Sequence, residues 1–218
     1  MKIKTRELVS GWTHLIAAVA AVFGLVGLLA AGWGDWPKFF AMLVYGISLV
    51  GMFAASATYH LGQGLSSRTV LILRKIDHSA IYLLIAGSYT PICTHFFTGF
   101  YRWGLAGVVW TLALVGIGVK VFVINAPRWV TAGIYLVMGW LAVLAVRQMF
   151  LYMPPGALLW LFLGGVFYTV GAVVYIIRRP ALFPEVFGFH ELWHIFVILG
   201  ALSHFIVVAA YVAPRLPL

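Results

Sequence analysis

Seven long apolar runs leave this chain few folds to choose from. They cover residues 8–31, 39–60, 76–95, 103–122, 129–150, 157–177 and 189–212. Each is close to the roughly 20 residues that carry a helix across a hydrocarbon core about 30 Å thick. The fold class they specify is an all-α membrane protein, a bundle of seven transmembrane helices in a single domain, since no polar stretch between them is long enough to fold separately. The first run is too long for the about 7–15 apolar residues of a signal peptide core, and it carries His14. Pro91 lies inside the third run and is expected to kink its far half. Turns fall at Gly32 to Lys38, Gly62 to Arg68, Asn125 to Arg128 and Pro154 to Gly156, and Arg178-Arg179-Pro180 ends the sixth run.

Composition agrees with a lipid environment: 64% of residues are hydrophobic and 9% charged, against an apolar share of about 45–50% in soluble domains. The net charge of +9 therefore reports orientation rather than affinity for nucleic acid, for which the chain carries no motif. With seven crossings, one side holds Lys2, Lys4, Arg6, Arg68, Arg74, Lys75, Lys120, Arg128, Arg178 and Arg179. The other holds Lys38, Arg102, Arg147 and Arg215. Ten basic residues against four put the N-terminus in the cytoplasm and the C-terminus outside. That is the reverse of a G-protein-coupled receptor, and the seventh run has no lysine to carry a retinal Schiff base. Cys93 is the single cysteine, which excludes an intrachain disulfide framework and a thiolate-rich metal site.

The chemistry concentrates at Gly188-Phe189-His190-Glu191-Leu192-Trp193-His194. On a helix, a four-residue spacing separates the two histidines by about 6 Å of rise and roughly 40° of rotation, so both rings leave one face as a metal-chelating pair. The letters also match H-E-x-x-H, which in soluble metalloproteases supplies two zinc ligands and a general base. Glu191, however, points about 100° away from His190 and equally suits an anion in the first turn of a helix.

A third ligand must come from another segment. Topology puts His60 at the end of the second run, Asp77 at the start of the third, and His190 and His194 at the start of the seventh, all at one membrane depth. Three imidazoles with one open position form the catalytic type of zinc site, although iron or copper also accept such ligands. Asp77 is a candidate base or water-holding group, set against the plainer role of a dipole-stabilised carboxylate. Ser56, one turn before His60, faces the same way. His14 shares a side with Glu7 and is expected to hydrogen-bond across the bundle or support the site. His204 lies on nearly the same face as His190 but about 20 Å deeper, suited to an internal polar network or a cavity wall.

Several stretches resemble the hemolysin III proteins, the bacterial branch of the progestin and adipoQ receptor superfamily. They are Glu7 with Thr13-His14, Ser56-Ala57-Thr58-Tyr59-His60, Lys75-Ile76-Asp77-His78-Ser79, Ala86-Gly87-Ser88-Tyr89-Thr90-Pro91, Phe189 to His194, and Ser203-His204-Phe205. Ser10 departs from the pattern, which usually has asparagine there. The resemblance implies one Zn²⁺ held by His60, His190 and His194, with Asp77 bonded to the metal's water and Ser56 close by. It implies a multi-pass protein of the bacterial cytoplasmic membrane whose partners are membrane lipids, including a lipid or fatty-acid ligand within the bundle. Relatives with ceramidase-like activity make a zinc-dependent hydrolase of lipid amides or esters the leading expectation. The rivals are a non-enzymatic sensor of membrane state with a structural zinc, and a pore or ion transporter.

Overall fold

A computed structural model describes residues 5–62, 64–122, 126–180, 182–183 and 186–214, with side chains from residue 7 onward. Lys2, Lys4 and Arg215 of the orientation count, and Asn125 of the turn ahead of Arg128, lie outside the described residues. The described residues are helical apart from short connections, and contain no strand beyond an isolated bridge between Phe183 and Phe187.

Helix α1 spans Thr5–Gly32, α2 Trp36–Leu61, α3 Ser67–Phe96 and α4 Phe100–Phe122. The next segment is broken into α5 (Arg128–Trp140), a 3₁₀ turn (Leu141–Ala145) and α6 (Val146–Tyr152). Helix α7 covers Pro155–Ile177, and α8 covers Phe189–Val207 before a π turn at Val208–Val212. Local chemistry sets the starts. The Asp35 carboxylate accepts the Lys38 amide at 3.3 Å ahead of a helix with Pro37 in its first turn, and the Ser66 hydroxyl accepts the Thr69 amide at 3.2 Å.

Among the described residues, six segments have both the length and the apolarity to cross a membrane: α1, α2, α4, the α5–α6 composite, α7, and α8 with its π turn. Helix α3 is longer than any of them at 30 residues but more polar. It begins at Ser67, well ahead of residue 76, because the Ser66 cap starts a helix before the apolar run does. Its polarity is absorbed internally. The hydroxyls of Ser88, Thr90 and Thr94 donate to carbonyls one turn back at 2.8, 3.1 and 2.7 Å, and much of the helix is buried between neighbours.

The helices form a ring. Helix α1 packs on α2, α2 on α3, α3 on α5, α5 on α7, α7 on α8, and α8 returns to α1, while α4 leans on α3 from outside. The approach of α2 to α3 requires Gly87, where a Cβ would collide with the Ser48 side chain. Large side chains such as Phe23, Phe122 and Phe150 face outward, the pattern expected of a surface solvated by acyl chains. The break between α5 and α6 is filled from α3: the Tyr89 hydroxyl donates to the carbonyls of Met138 and Gly139, at 3.0 and 2.7 Å, and accepts the Ala142 amide at 2.7 Å. A side chain inserted into the backbone ladder is an ordinary cause of such a break.

Candidate metal centre

The C-terminal end of α2, the N-terminal half of α3 and the N-terminal end of α8 meet at one end of the ring. His60 occupies the last turn of α2, and His190 and His194 occupy successive turns of α8. One ligating nitrogen from each lies within 4.8 Å of the others. Ring centroids are 5.2 Å apart for His60 and His190, and 4.8 Å for both other pairs. His60 and His194 are buried, and His190 is partly so.

The surroundings fit a cation. The Glu7 carboxylate accepts from His60 Nδ1 at 2.6 Å, which leaves Nε2 for the cluster. A carboxylate on the far nitrogen is the usual arrangement behind a ligating imidazole, fixing its tautomer and raising its basicity. His194 Nδ1 is buried without a hydrogen-bond partner. An unmatched buried polar atom costs about 1–3 kcal/mol, and a nitrogen-rich set of this kind suits a divalent metal with bonds of about 2.0–2.1 Å.

Glu7 thus serves His60 rather than His14, and the cross-bundle hydrogen bond expected of His14 is replaced by ring packing. His14 lies 3.9 Å from His194 and 5.1 Å from Phe53, centroid to centroid, with both ring nitrogens unpartnered. Glu191 is engaged in starting its helix: one carboxylate oxygen accepts the Gly188 amide at 2.7 Å and the other the Ser10 hydroxyl at 3.2 Å. This geometry matches the reading of Glu191 as an anion in the first turn of its helix. Ser10, where the family pattern has asparagine, ties α1 to α8 through that carboxylate.

Beside the histidines lies a polar cavity of about 50 Å³, lined among others by His14, Ser56, Asp77, His78, Tyr135 and Tyr175, and bounded by His190 and His194. Its volume admits a few waters at about 10–15 Å³ each. Ser56 and Asp77 are buried, with the Ser56 hydroxyl beside the Asp77 carboxylate, which also lies in the fields of His60 and Lys120. His78 Nε2 stands 3.9 Å from the Asp77 carboxylate, and the Tyr135 hydroxyl donates to the His78 carbonyl at 2.8 Å. The sequence assigns no role to His78, Tyr135 or Tyr175. The adjacency of His78 to Asp77 was an available signal, whereas the tyrosines enter only through packing.

An apolar cavity of about 180 Å³ adjoins this chamber, sharing Met52, Ile81, Ala132, Tyr135, Trp193 and Val197 with it. It extends past Tyr89 and the α5–α6 break to Tyr168 and His204. His204 contacts the Leu161 carbonyl at 3.4 Å, and it stands on the cavity wall apart from the three clustered histidines.

An all-helical, multi-pass membrane protein with three histidines close enough to bind one metal ion is therefore the class these features define. The family model "Haemolysin-III related" matches residues 2–205, and the chain belongs to that family. It is similar to "Hemolysin-3 homolog" of Bacillus subtilis, 34% identical over 207 residues that cover 94% of this chain and 93% of the relative. It is also similar to "Hemolysin-3" of Bacillus cereus, 32% identical over 210 residues, covering 95% and 92%. "Adiponectin receptor protein" of Drosophila melanogaster is 26% identical over 216 residues, covering 89% of this chain and 48% of the relative, which fits the progestin and adipoQ receptor superfamily.

Proposed function

We propose that the chain is an intramembrane zinc hydrolase of a lipid amide or ester, crossing the bacterial cytoplasmic membrane seven times with its N-terminus in the cytoplasm and contributing to membrane homeostasis. Helix α3 is the third crossing, its polar residues covered by protein instead of lipid. The observation that carries the reading is the shared wall between the two cavities. One chamber is apolar and sized for part of an acyl chain, and the other gathers Asp77, Ser56, His190 and His194.

His60, His190 and His194 would hold the ion, with Glu7 orienting His60. Bound zinc supplies Lewis acidity, polarising the substrate carbonyl and lowering the pKa of water toward about 7. The chain's own groups do the rest. The apolar chamber excludes water and fixes the acyl chain, so that the scissile carbonyl enters the polar one. Asp77 takes the proton of the attacking water at its carboxylate. The Ser56 hydroxyl donates to the oxygen on which charge develops. Purified protein loaded with zinc should release fatty acid from a lipid amide or ester, and inactivity across a broad lipid panel at full metal content would refute the proposal.

A second reading, a sensor with a structural zinc, draws support from the contacts that knit α1, α2 and α8 around the same histidines, Glu7 to His60 and Ser10 to Glu191. The two readings part at Asp77. A sensor keeps its biological activity in Asp77→Ala, whereas a hydrolase keeps its fold and metal but loses turnover.

A further inference from the structure

Lys120 is in the last turn of α4 and is only 4% exposed. Basic residues at the end of a membrane helix ordinarily extend to water, as Arg68, Arg178 and Arg179 do here, all of them exposed. Lys120 is instead folded against the protein, and among the described residues it makes no hydrogen bond and no ion pair within 4.0 Å. On α4 the Tyr82 ring of α3 lies against Gly116, so Lys120, one turn further along α4, comes level with His78 and Arg74, one and two turns before Tyr82 on the neighbouring α3. Arg74 and His78 are one turn apart on α3 and so share a face. His78 lies in the fields of both Lys120 and Arg74, and its Nδ1 is buried without a partner. Two cations thus flank an imidazole that helps to line the polar chamber.

The only carboxylate in this group, Asp77, is 3.9 Å from His78 and forms no ion pair with either cation. Covering an ammonium group that has no hydrogen-bonded or ion-paired partner is costly, and the cost is reduced by an anion that several donors reach at once. The arrangement faces the same end of the bundle as the histidine cluster, where a lipid whose acyl chain fills the apolar cavity would present its headgroup.

We propose that Lys120, Arg74 and His78 form a binding site for a phosphate group, the headgroup phosphate of an anionic lipid or a free phosphate. The site makes the bundle select a phosphate-bearing ligand over a neutral one. As an identification of the headgroup it rests on the lipid-binding part of the reading above, and not on turnover.

The test is equilibrium binding to the full-length, zinc-loaded protein in neutral detergent, with three probes: phosphatidic acid, phosphatidylcholine with the same acyl chains, and inorganic phosphate. Phosphatidic acid should bind at least about tenfold more tightly than phosphatidylcholine. Lys120→Met and Arg74→Gln should each erase most of that preference, while Lys120→Arg keeps it. Circular dichroism and zinc content, unchanged in the variants, separate lost binding from lost fold. Inorganic phosphate binding as tightly as phosphatidic acid, with the same sensitivity to Lys120→Met, would support the site with a soluble ligand. Equal affinity for the two lipids, or a preference untouched by both Lys120→Met and Arg74→Gln in folded protein, overturns the proposal. Binding that follows this pattern without any hydrolysis leaves the phosphate site standing and refutes the hydrolase reading alone.

Discussion

The Tyr89 hydroxyl accepts the backbone N–H of Ala142 at 2.7 Å, and in doing so takes the place of a carbonyl in the ladder of the fifth long segment. Helix α5 ends there because a phenol from α3 supplies the hydrogen bonds that a continuous helix would have made. The break also forms part of the apolar cavity wall, with Gly139, Trp140, Ala142 and Val143 facing the cavity.

Tyr89→Phe should therefore cost about 1–3 kcal/mol of stability, the usual penalty for leaving buried polar groups unmatched. Thermal unfolding in detergent measures the loss. Amide hydrogen exchange should rise first at Ala142, and unchanged exchange there would show that the hydroxyl does not hold the break.

Removal of the carboxylate behind His60 tests the metal centre without touching a ligand. Glu7→Gln is expected to weaken zinc binding by about 10- to 100-fold in a chelator competition, since the partner of a ligating imidazole tunes its basicity. His60→Ala and His194→Ala should lower the zinc content of purified protein outright, as read by elemental analysis. Full occupancy in both would dismiss the three-histidine site.

Asp77→Ala should retain zinc and helicity while losing at least about 100-fold in turnover, the range associated with a positioned acid or base. Ser56→Ala should show a smaller loss confined to kcat, measured on the same lipid.

Glu191→Ala separates the helix-starting role from the metalloprotease one. The Gly188 amide and the Ser10 hydroxyl both lose their acceptor, so stability should fall by about 1–3 kcal/mol. Turnover per folded molecule should persist. Loss of turnover at intact stability would restore the general-base assignment.

Ala132 lies on the wall common to both cavities and is almost fully buried. Ala132→Phe should raise KM for long-chain lipids more than for short-chain ones, compared side by side in mixed micelles. An equal effect on both would place the acyl chain elsewhere.

Much of this was readable in the residues before any coordinates. The apolar runs fix the helices because lipid leaves the backbone no other way to satisfy itself, and the four-residue step from His190 to His194 fixes their common face. His60 joined them through topology alone. What could not be read depends on pairings between distant segments. The partner of Glu7 is His60 and not His14 because α1 packs against both α2 and α8, and letters alone do not rank those contacts. The Tyr89 insertion was hidden for a related reason: residues 129–150 form a plausible continuous helix, and only a hydroxyl on another helix interrupts it. The letters H-E-x-x-H do not disclose that both carboxylate oxygens of Glu191 accept local hydrogen bonds, from the Gly188 amide and the Ser10 hydroxyl.

The three donors come from α2 and α8, helices separated by most of the chain. During synthesis the early helices consequently enter the bilayer with His60 apart from His190 and His194, and under the proposed function an ion would be captured only once α8 has inserted and docked on α1. On that proposal metal supply would act on the finished bundle and not on the nascent chain, so that zinc starvation should accumulate an inserted, immature protein instead of blocking its translation.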